Sequence, residues 1–408
     1  MSSAKARIKN YRQLMRFRKP IFNTVDRRLS RAHTIYDLRD IAKKLTPMGP
    51  FDYTDGAAEG EISLNRARQA FEDIEFQPRI LRDVSQVDLS VDLLGRTMHM
   101  PVGIAPTGFT RMMNTDGEVA ASRIAQDLSI PFALSTMGTT SIENVAKAAP
   151  DGSNWFQLYL WRDREKSLAL IERAQKAGYD GLILTVDAQV AGQRLRDVRN
   201  GLTVPPSLSA KTIVNAIPRP AWWLNFLLKE PLVFASLESW NGTVAELMNT
   251  MFDPTMTYED LDWIRKVWDG NLLVKGIQNA DDAKRAVKHG ADAVWLSNHG
   301  GRQLDKAPVP FEMIPSVRKA VGKSTQIHID TGIMNGADVI AAMAKGANFT
   351  WVGRAYLYGL MAGGGRGVSR SFEILESQMV RTMKLLGVQS VQELDPSMVK
   401  YLKERMES

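Results

Sequence analysis

From residue 101 onward the chain repeats one short unit eight times: an apolar or β-branched run ending in a small or polar residue, then a stretch whose apolar positions recur at helical spacing. The runs are PVGIAPT (101–107), PFALST (131–136), NWFQLYL (154–160), GLILTVD (181–187), NLLVKG (271–276), AVWLSN (293–298), IHIDTG (327–332) and FTWVGR (349–354). Between them lie GEVAASRIAQDL, REKSLALIERAQKAG, NADDAKRAVKHGA and GADVIAAMAKGA, most ending near a glycine where a helix C-cap would fall. Strands joined by helical crossovers pair in parallel, and eight of them close into a ring with a filled interior. The pattern predicts an α/β fold of the (β/α)8 TIM-barrel type. An open doubly wound sheet is the rival, and no GxGxxG follows the first run to support it.

Two regions break the rhythm. Residues 1–80 precede the barrel and hold a basic arm and helices near 35–45 and 60–72, expected to pack on a barrel formed by residues 81–408. Residues 200–258 form a long insertion after the fourth strand, with tryptophans, leucines and basic residues side by side in IPRPAWWLNFLLKEPLVF. A connection of that length and composition reads as a lid or a membrane-contact surface. Its longest apolar cluster, AWWLNFLL, is too short to span a bilayer. A length of 408 residues fits a single extended barrel.

The net charge of +7, from 52 Lys and Arg against 45 Asp and Glu, is concentrated at one end. Residues 1–31 hold ten basic residues and one acid, leaving 42 against 44 elsewhere. Such an arm reads first as a solvated face, then as an anionic-lipid contact or part of an oligomer interface, with nucleic acid last and not expected. No apolar segment follows it to make a secretory signal, although an Arg-rich, acid-poor start also suits a transit peptide. The expectation is a cytoplasmic protein with a peripheral contact at the inner membrane. Cysteine is absent, so disulfides and thiolate metal sites are excluded, and no His/Asp/Glu cluster has metal-ligand spacing.

Chemistry in such a barrel collects where strands give way to loops at the C-terminal face. The eight run ends supply Thr107, Ser135, Gln157 with Tyr159, Thr185 with Asp187, Lys275, His299, Asp330 and Arg354. Singly, a Ser or Thr there is a turn or cap residue and Lys275 a surface charge. Together, a His, a Lys, an Asp and an Arg after apolar strands are costly to bury without one another or a shared polar ligand. SNHGGRQLD (297–305) says most: Gly300 and Gly301 permit a sharp turn, so that His299 and Arg302 can face one pocket. Histidine accepts protons near neutrality and arginine grips a carboxylate with paired hydrogen bonds, which points to acid–base work on a carboxylate substrate. His33, His99 and His289 sit in surface-like surroundings, and His328 alternates within a strand as a packing residue does.

Over nearly its full length the chain resembles the FMN-dependent 2-hydroxy acid dehydrogenases and oxidases. SNHGGRQLD is their signature, and FDYTDGAAEGE, APTG, FQLYL, TVD, GQRLRDVRNG, LVKG and WVGRAYLYG follow in the family's order. YEDLDWIRKVWDGNLLVKG and the Trp-bearing insertion are most like the bacterial membrane-associated L-lactate dehydrogenases. The resemblance implies FMN as cofactor, a small 2-hydroxy acid such as lactate or mandelate as substrate, a quinone or cytochrome as acceptor, and a homotetramer.

By the same resemblance His299 is the base and Asp187 orients it, while Tyr159 contacts the substrate hydroxyl. Arg194, Arg302 and Tyr53 hold the carboxylate. Lys275 lies beside the flavin edge that gains negative charge, Ser135, Gln157 and Thr185 hydrogen-bond its rings, and Ala105, Pro106, Thr107 and Gly108 line its other side. Asp330, Gly332, Gly353 and Arg354 complete the cofactor site, the last three at its phosphate. The family usually reads DGGIR where this chain has Asp330, Thr331, Gly332, Ile333 and Met334. One phosphate-binding arginine is therefore missing, which implies weaker FMN retention; Thr331 for glycine reads as a milder change. Met137 and Ala191 stand where some relatives carry bulkier residues, which fits either a substrate larger than lactate or neutral drift. The alternatives are an oxygen-dependent oxidase or monooxygenase, a flavin-binding barrel without turnover, and a phosphate-binding aldolase with Lys275 as its Schiff base.

Overall fold

The structure, a computed structural model, describes residues 21–201, 214–227, 229 and 253–402. Eight parallel strands close a barrel in chain order: β1 Val102–Ile104, β2 Pro131–Ser135, β3 Ser153–Leu158, β4 Gly181–Thr185, β5 Asn271–Ile277, β6 Ala293–Leu296, β7 Gln326–Ile329 and β8 Phe349–Val352. β8 pairs back onto β1 through Thr350↔Val102 and Val352↔Ile104. Each of the eight runs supplies one strand, and most of the polar run ends fall in the loops just beyond it.

A short helix at Thr24–Leu29 and three more, α1 Ile35–Leu45, α2 Met48–Asp55 and α3 Ile62–Glu72, precede the barrel among the described residues. Eight more follow the strands in turn: α4 Gly117–Asp127, α5 Ile142–Ala148, α6 Arg164–Lys176, α7 Tyr258–Val267, α8 Ala280–Lys288, α9 Pro310–Val321, α10 Gly336–Ala344 and α11 Arg354–Leu386. Their starts are written in the sequence: Ser141, Asp163, Asn279 and Asn335 accept backbone N–H bonds at the first turns of α5, α6, α8 and α10. Each such cap contributes about 1 kcal/mol. α11 is long and bent, with non-helical backbone at Gly363 and Gly364.

Rings from strands that are not neighbours meet inside the barrel. Trp155 of β3 lies 6.4 Å from Trp351 of β8, and Trp351 stacks at 4.5 Å on Trp295 of β6. His328 is wholly buried among them, as its alternation within the run predicts. Trp351 Nε1–H donates to His328 Nδ1 at 3.1 Å, which leaves the imidazole Nε2 facing Gln326 Oε1 at 3.2 Å. Burial pulls this histidine's pKa down to about 3, so it is neutral in the fold.

One end of the barrel is stoppered by a hairpin of two short strands, Val91–Leu93 and Arg96–Met98. Arg96 reaches the Asp151 carbonyl and Asp180, and Asn271 and Gln326 bond the hairpin backbone at Leu94 and Asp92. Those partners sit where β3, β4, β5 and β7 begin, so the strand C-termini are left to form the open mouth. α1 packs along α11, and Ile74–Phe76 pairs antiparallel with Val399–Tyr401.

The basic arm through residue 20 and most of the insertion (202–213, 228 and 230–252) lie outside the described residues. Of the insertion, a helix at Pro220–Leu227 is described, with Trp222 Nε1–H donating to the Met112 carbonyl at 3.1 Å. Where the chain re-enters the barrel, Arg164 bonds both Asp253 and Asp260, at 2.7 and 2.8 Å.

Candidate active site

Past β6 the backbone turns through three consecutive left-handed residues, His299, Gly300 and Gly301, with φ of 59°, 66° and 73°. At Gly301 a Cβ would lie 2.8 Å from the Leu64 amide nitrogen, so the close approach of α3 as well as the dihedral demands glycine. His299 carries the strain of that conformation itself, as residues at functional sites often do. Three side-chain oxygens hold the loop: Ser297 Oγ accepts the His299 N–H, Thr331 Oγ1 the Gly300 N–H, and Asn298 Oδ1 the Gly301 N–H, at 3.0, 3.1 and 3.0 Å.

His299 Nδ1 lies 2.7 Å from Asp187 Oδ1. A carboxylate accepts only, so Nδ1 donates to it, and in the neutral ring Nε2 is then the acceptor nitrogen, 3.3 Å from the Tyr159 hydroxyl. The Asp187 side chain is 1% exposed and the His299 side chain 22%, so the imidazole screens the carboxylate and meets the pocket itself. Burial works to raise the Asp187 pKa, but the facing His299 and Lys275 and the imidazole hydrogen bond outweigh it and hold the group below the usual carboxylate range. Burial beside Asp187 pushes the Tyr159 phenol well up, so it stays neutral.

Lys275 is buried at the end of β5. Its Nζ donates to Ser297 Oγ at 3.0 Å and lies 3.5 Å from Asp330 Oδ2 and 4.0 Å from Asp187 Oδ2. Asp187 Oδ2 is buried without a hydrogen-bond partner. Ser297 thus joins the ammonium to the histidine loop. Beside it runs a polar row across three strands, Ser135 Oγ–H to Gln157 Oε1 at 3.0 Å and Gln157 Nε2–H to Thr185 Oγ1 at 2.9 Å. Ala105, Pro106, Thr107 and Gly108 form the opposite wall, with the Thr107 hydroxyl bonded to Tyr356 and, at 3.1 Å, to Thr110.

Arg302 and Arg194 flank the Tyr53 ring, their guanidinium carbons 4.6 and 5.3 Å from its centroid. Burial and the neighbouring Arg194 lower the Arg302 pKa to about 10. Arg194 also pairs with Asp197 at 3.4 Å, and the two guanidiniums, only partly offset by that carboxylate, favour an anionic ligand.

At the far end, Arg354 donates to the carbonyls of Thr54, Gly300 and Gly56 at 2.9, 2.9 and 2.8 Å. Three of its five N–H groups are used and two remain for a ligand. Gly353 and Gly332 border the same space, and a Cβ on Gly353 would meet nothing nearer than 3.8 Å. Met334 lines it too, and its N–H bonds Asp338, which also pairs with Arg68 of α3.

Of the site residues expected from the sequence, all except Asp187, which stands behind His299, line one cavity of about 390 Å³. That volume, with apolar walls interrupted by convergent polar groups, several guanidiniums and a buried ammonium, suits a planar aromatic cofactor with an anionic edge and a phosphate tail. Met137 and Ala191 border it as well.

Four contributors escape a reading of strand ends. Ser297 and Asn298 stand inside SNHGGRQLD, but only the folded loop reveals which amides they accept. Thr331 has φ 71°, a genuine outlier for a β-branched residue, so its replacement of glycine is a costlier change than the sequence suggests. Glu118, buried under the wall, takes Thr139 N–H, Thr139 Oγ1–H and Thr140 Oγ1–H, a partner set no local spacing announces.

Residues 42–401 match the family model described as FMN-dependent dehydrogenase. A Mycobacterium tuberculosis protein named provisionally as an L-lactate dehydrogenase is 54% identical over 397 residues, covering 97% of this chain and 96% of that protein. The L-lactate dehydrogenase of Vibrio cholerae is 37% identical over 88% of this chain and 96% of its own. Among solved structures, the monotopic membrane protein (S)-mandelate dehydrogenase superposes with a TM-score of 0.88 at 36% identity, covering 91% of this chain and all of that one. Mandelate oxidase does so at 0.79 and 33%, covering 90% and 98%.

Proposed function

This chain belongs to the FMN-dependent dehydrogenase family, and on that premise we propose that it oxidises an (S)-2-hydroxy acid to the 2-oxo acid. One observation carries the reading: a histidine backed by a buried carboxylate, its Nε2 beside the Tyr159 hydroxyl, opens on the same cavity as two guanidiniums. Arg194 and Arg302 with the Tyr53 hydroxyl would hold the substrate carboxylate, and Tyr159 its hydroxyl. His299 Nε2 takes one proton from the substrate, and Asp187 stabilises the imidazolium formed, in the manner of a catalytic triad. Bound FMN supplies the two-electron acceptor. Ser135, Gln157, Thr185, Lys275 and the 105–108 backbone would hold its rings; Asp330, Gly332, Gly353 and Arg354 would complete the site at its tail. The fixed ammonium of Lys275 favours negative charge gained during reduction.

Small Ala191 at the cavity wall supports a substrate side chain larger than that of lactate, as does the likeness to mandelate enzymes. The test is the visible spectrum of the FMN-loaded protein before and after anaerobic addition of lactate, mandelate and longer (S)-2-hydroxy acids. Bleaching of the flavin band is expected; a spectrum untouched by the whole panel overturns the proposal. We assign a quinone or cytochrome as acceptor, so flavin bleached by substrate should recover faster with a quinone analogue than with air. Recovery in air within seconds would make it an oxidase instead.

Among the described residues no helix is long and apolar enough to cross a membrane. Peripheral attachment through the insertion is supported by its described piece, where Val214, Ile217, Leu224 and Leu227 are exposed beside Arg219 and Lys229. Co-sedimentation with anionic phospholipid vesicles is expected, and protein left in the supernatant removes this part.

A further inference from the structure

We infer that Thr331 is a positioning residue for the proton acceptor: its hydroxyl locks the His299 loop to the end of β7. The inference rests on the function proposed above. Thr331 holds φ 71°, where glycine would sit without strain and a β-branched residue does not, so its retention calls for something the side chain does. The hydroxyl accepts the Gly300 N–H at 3.1 Å and donates to Asp330 Oδ1 at 2.8 Å, while Asp330 Oδ2 faces Lys275 Nζ at 3.5 Å. Of the three oxygens that hold the left-handed turn, those of Ser297 and Asn298 belong to the turn's own segment. Thr331 is the one that reaches it from another strand. It therefore ties the turn to the end of β7 and, through Asp330, gives it a second link to the ammonium beside that of Ser297, and so helps to set the direction of His299 Nε2. The hydroxyl uses its hydrogen on the carboxylate and a lone pair on the amide, so neither role can be filled by a methyl group.

Three variants separate hydroxyl from shape and strain. Thr331→Val keeps the branching and loses the oxygen, Thr331→Gly loses the oxygen and relieves the backbone, and Thr331→Ser keeps the oxygen. The expected result is a fall of about tenfold in kcat for the holoenzyme Val and Gly variants, with KM for the 2-hydroxy acid within twofold and most of kcat kept by Ser. Amide hydrogen exchange at Gly300 in the FMN-free protein should rise in Val and Gly and stay low in Ser. Wild-type kcat in both Val and Gly overturns the inference, and so does unchanged exchange. If the wild-type protein turned over no 2-hydroxy acid, the functional proposal would fail while the exchange measurement still decided whether the lock exists.

Discussion

At the scale of single residues the site pairs its charges with partners, and on the proposed function His299 Nε2 is the atom that meets the substrate. His299→Asn keeps a polar side chain and removes the proton acceptor, so anaerobic flavin reduction should slow by about 10²–10⁴-fold. Stopped-flow absorbance measures this, and a rate within tenfold of wild type would exclude the histidine as the base. Met334 withholds one guanidinium from the proposed place of the cofactor tail, where Arg354 has two spare N–H groups and Arg68 is tied to Asp338 and the Gly332 carbonyl. Met334→Arg should tighten FMN binding by at least tenfold, since a hydrogen bond to a charged group contributes about 1.5–3 kcal/mol. Fluorescence titration of the FMN-free protein reads the change, and an unaltered Kd would show that the tail needs no second arginine. Much of this was legible beforehand, because a lysine, histidine or aspartate at the end of an apolar run announces itself. Ser297 and Thr331 did not, since a hydroxyl is ordinary in a turn until its partner across the strands is known.

Elements were legible in proportion to their periodicity. The eight strands and helices such as α6, α8 and α10 follow from alternating runs and caps. α2 hides because Gly49 and Pro50 fall in its first turn, and it has no amphipathic face. α11 hides because Gly363, Gly364 and Gly365 interrupt it, and the hairpin at 91–98 is too short to show alternation. α3 begins without a cap of its own; Asp305, from the loop after His299, accepts the N–H groups of Gly60 and Ser63 at 3.1 and 2.8 Å. Burial opposes its ionisation, yet these backbone donors and that of Lys306 hold its pKa below the ordinary range. Its stabilisation is therefore present above the ordinary carboxylate pKa and lost as pH falls through the lowered one. Asp305→Ala should cost about 1–2 kcal/mol by denaturant unfolding at pH 7, the range of a lost helix cap. A midpoint equal to wild type would mean that α3 is held by packing alone.

For the whole molecule, the barrel interior couples stability to pH through a residue far from the chemistry. His328 is neutral in the fold with its pKa pulled down to about 3, and regains an ordinary value near 6.5 when the chain unfolds. Between those values the unfolded chain binds the extra proton, so stability is complete above about pH 6.5 and declines as pH falls toward 3. His328→Asn can still accept from Trp351 Nε1–H and carries no titrating ring. It should be less stable than wild type at pH 7, because it leaves a cavity, but its melting temperature should fall less between pH 7 and 4.5. Parallel melting curves over that interval would assign the acid sensitivity elsewhere.

The pairing of β8 with β1 joins residues about 250 positions apart, and the cavity proposed for the cofactor straddles that seam, walled by Thr107, which bonds Tyr356, on one side and by Gly353 and Arg354 on the other. On a ribosome, the first seven strands emerge with their edges unjoined and wait for Phe349–Val352. The nascent chain thus has nowhere to seat a flavin until almost all of it has been made, and capture of the cofactor belongs to the last act of synthesis.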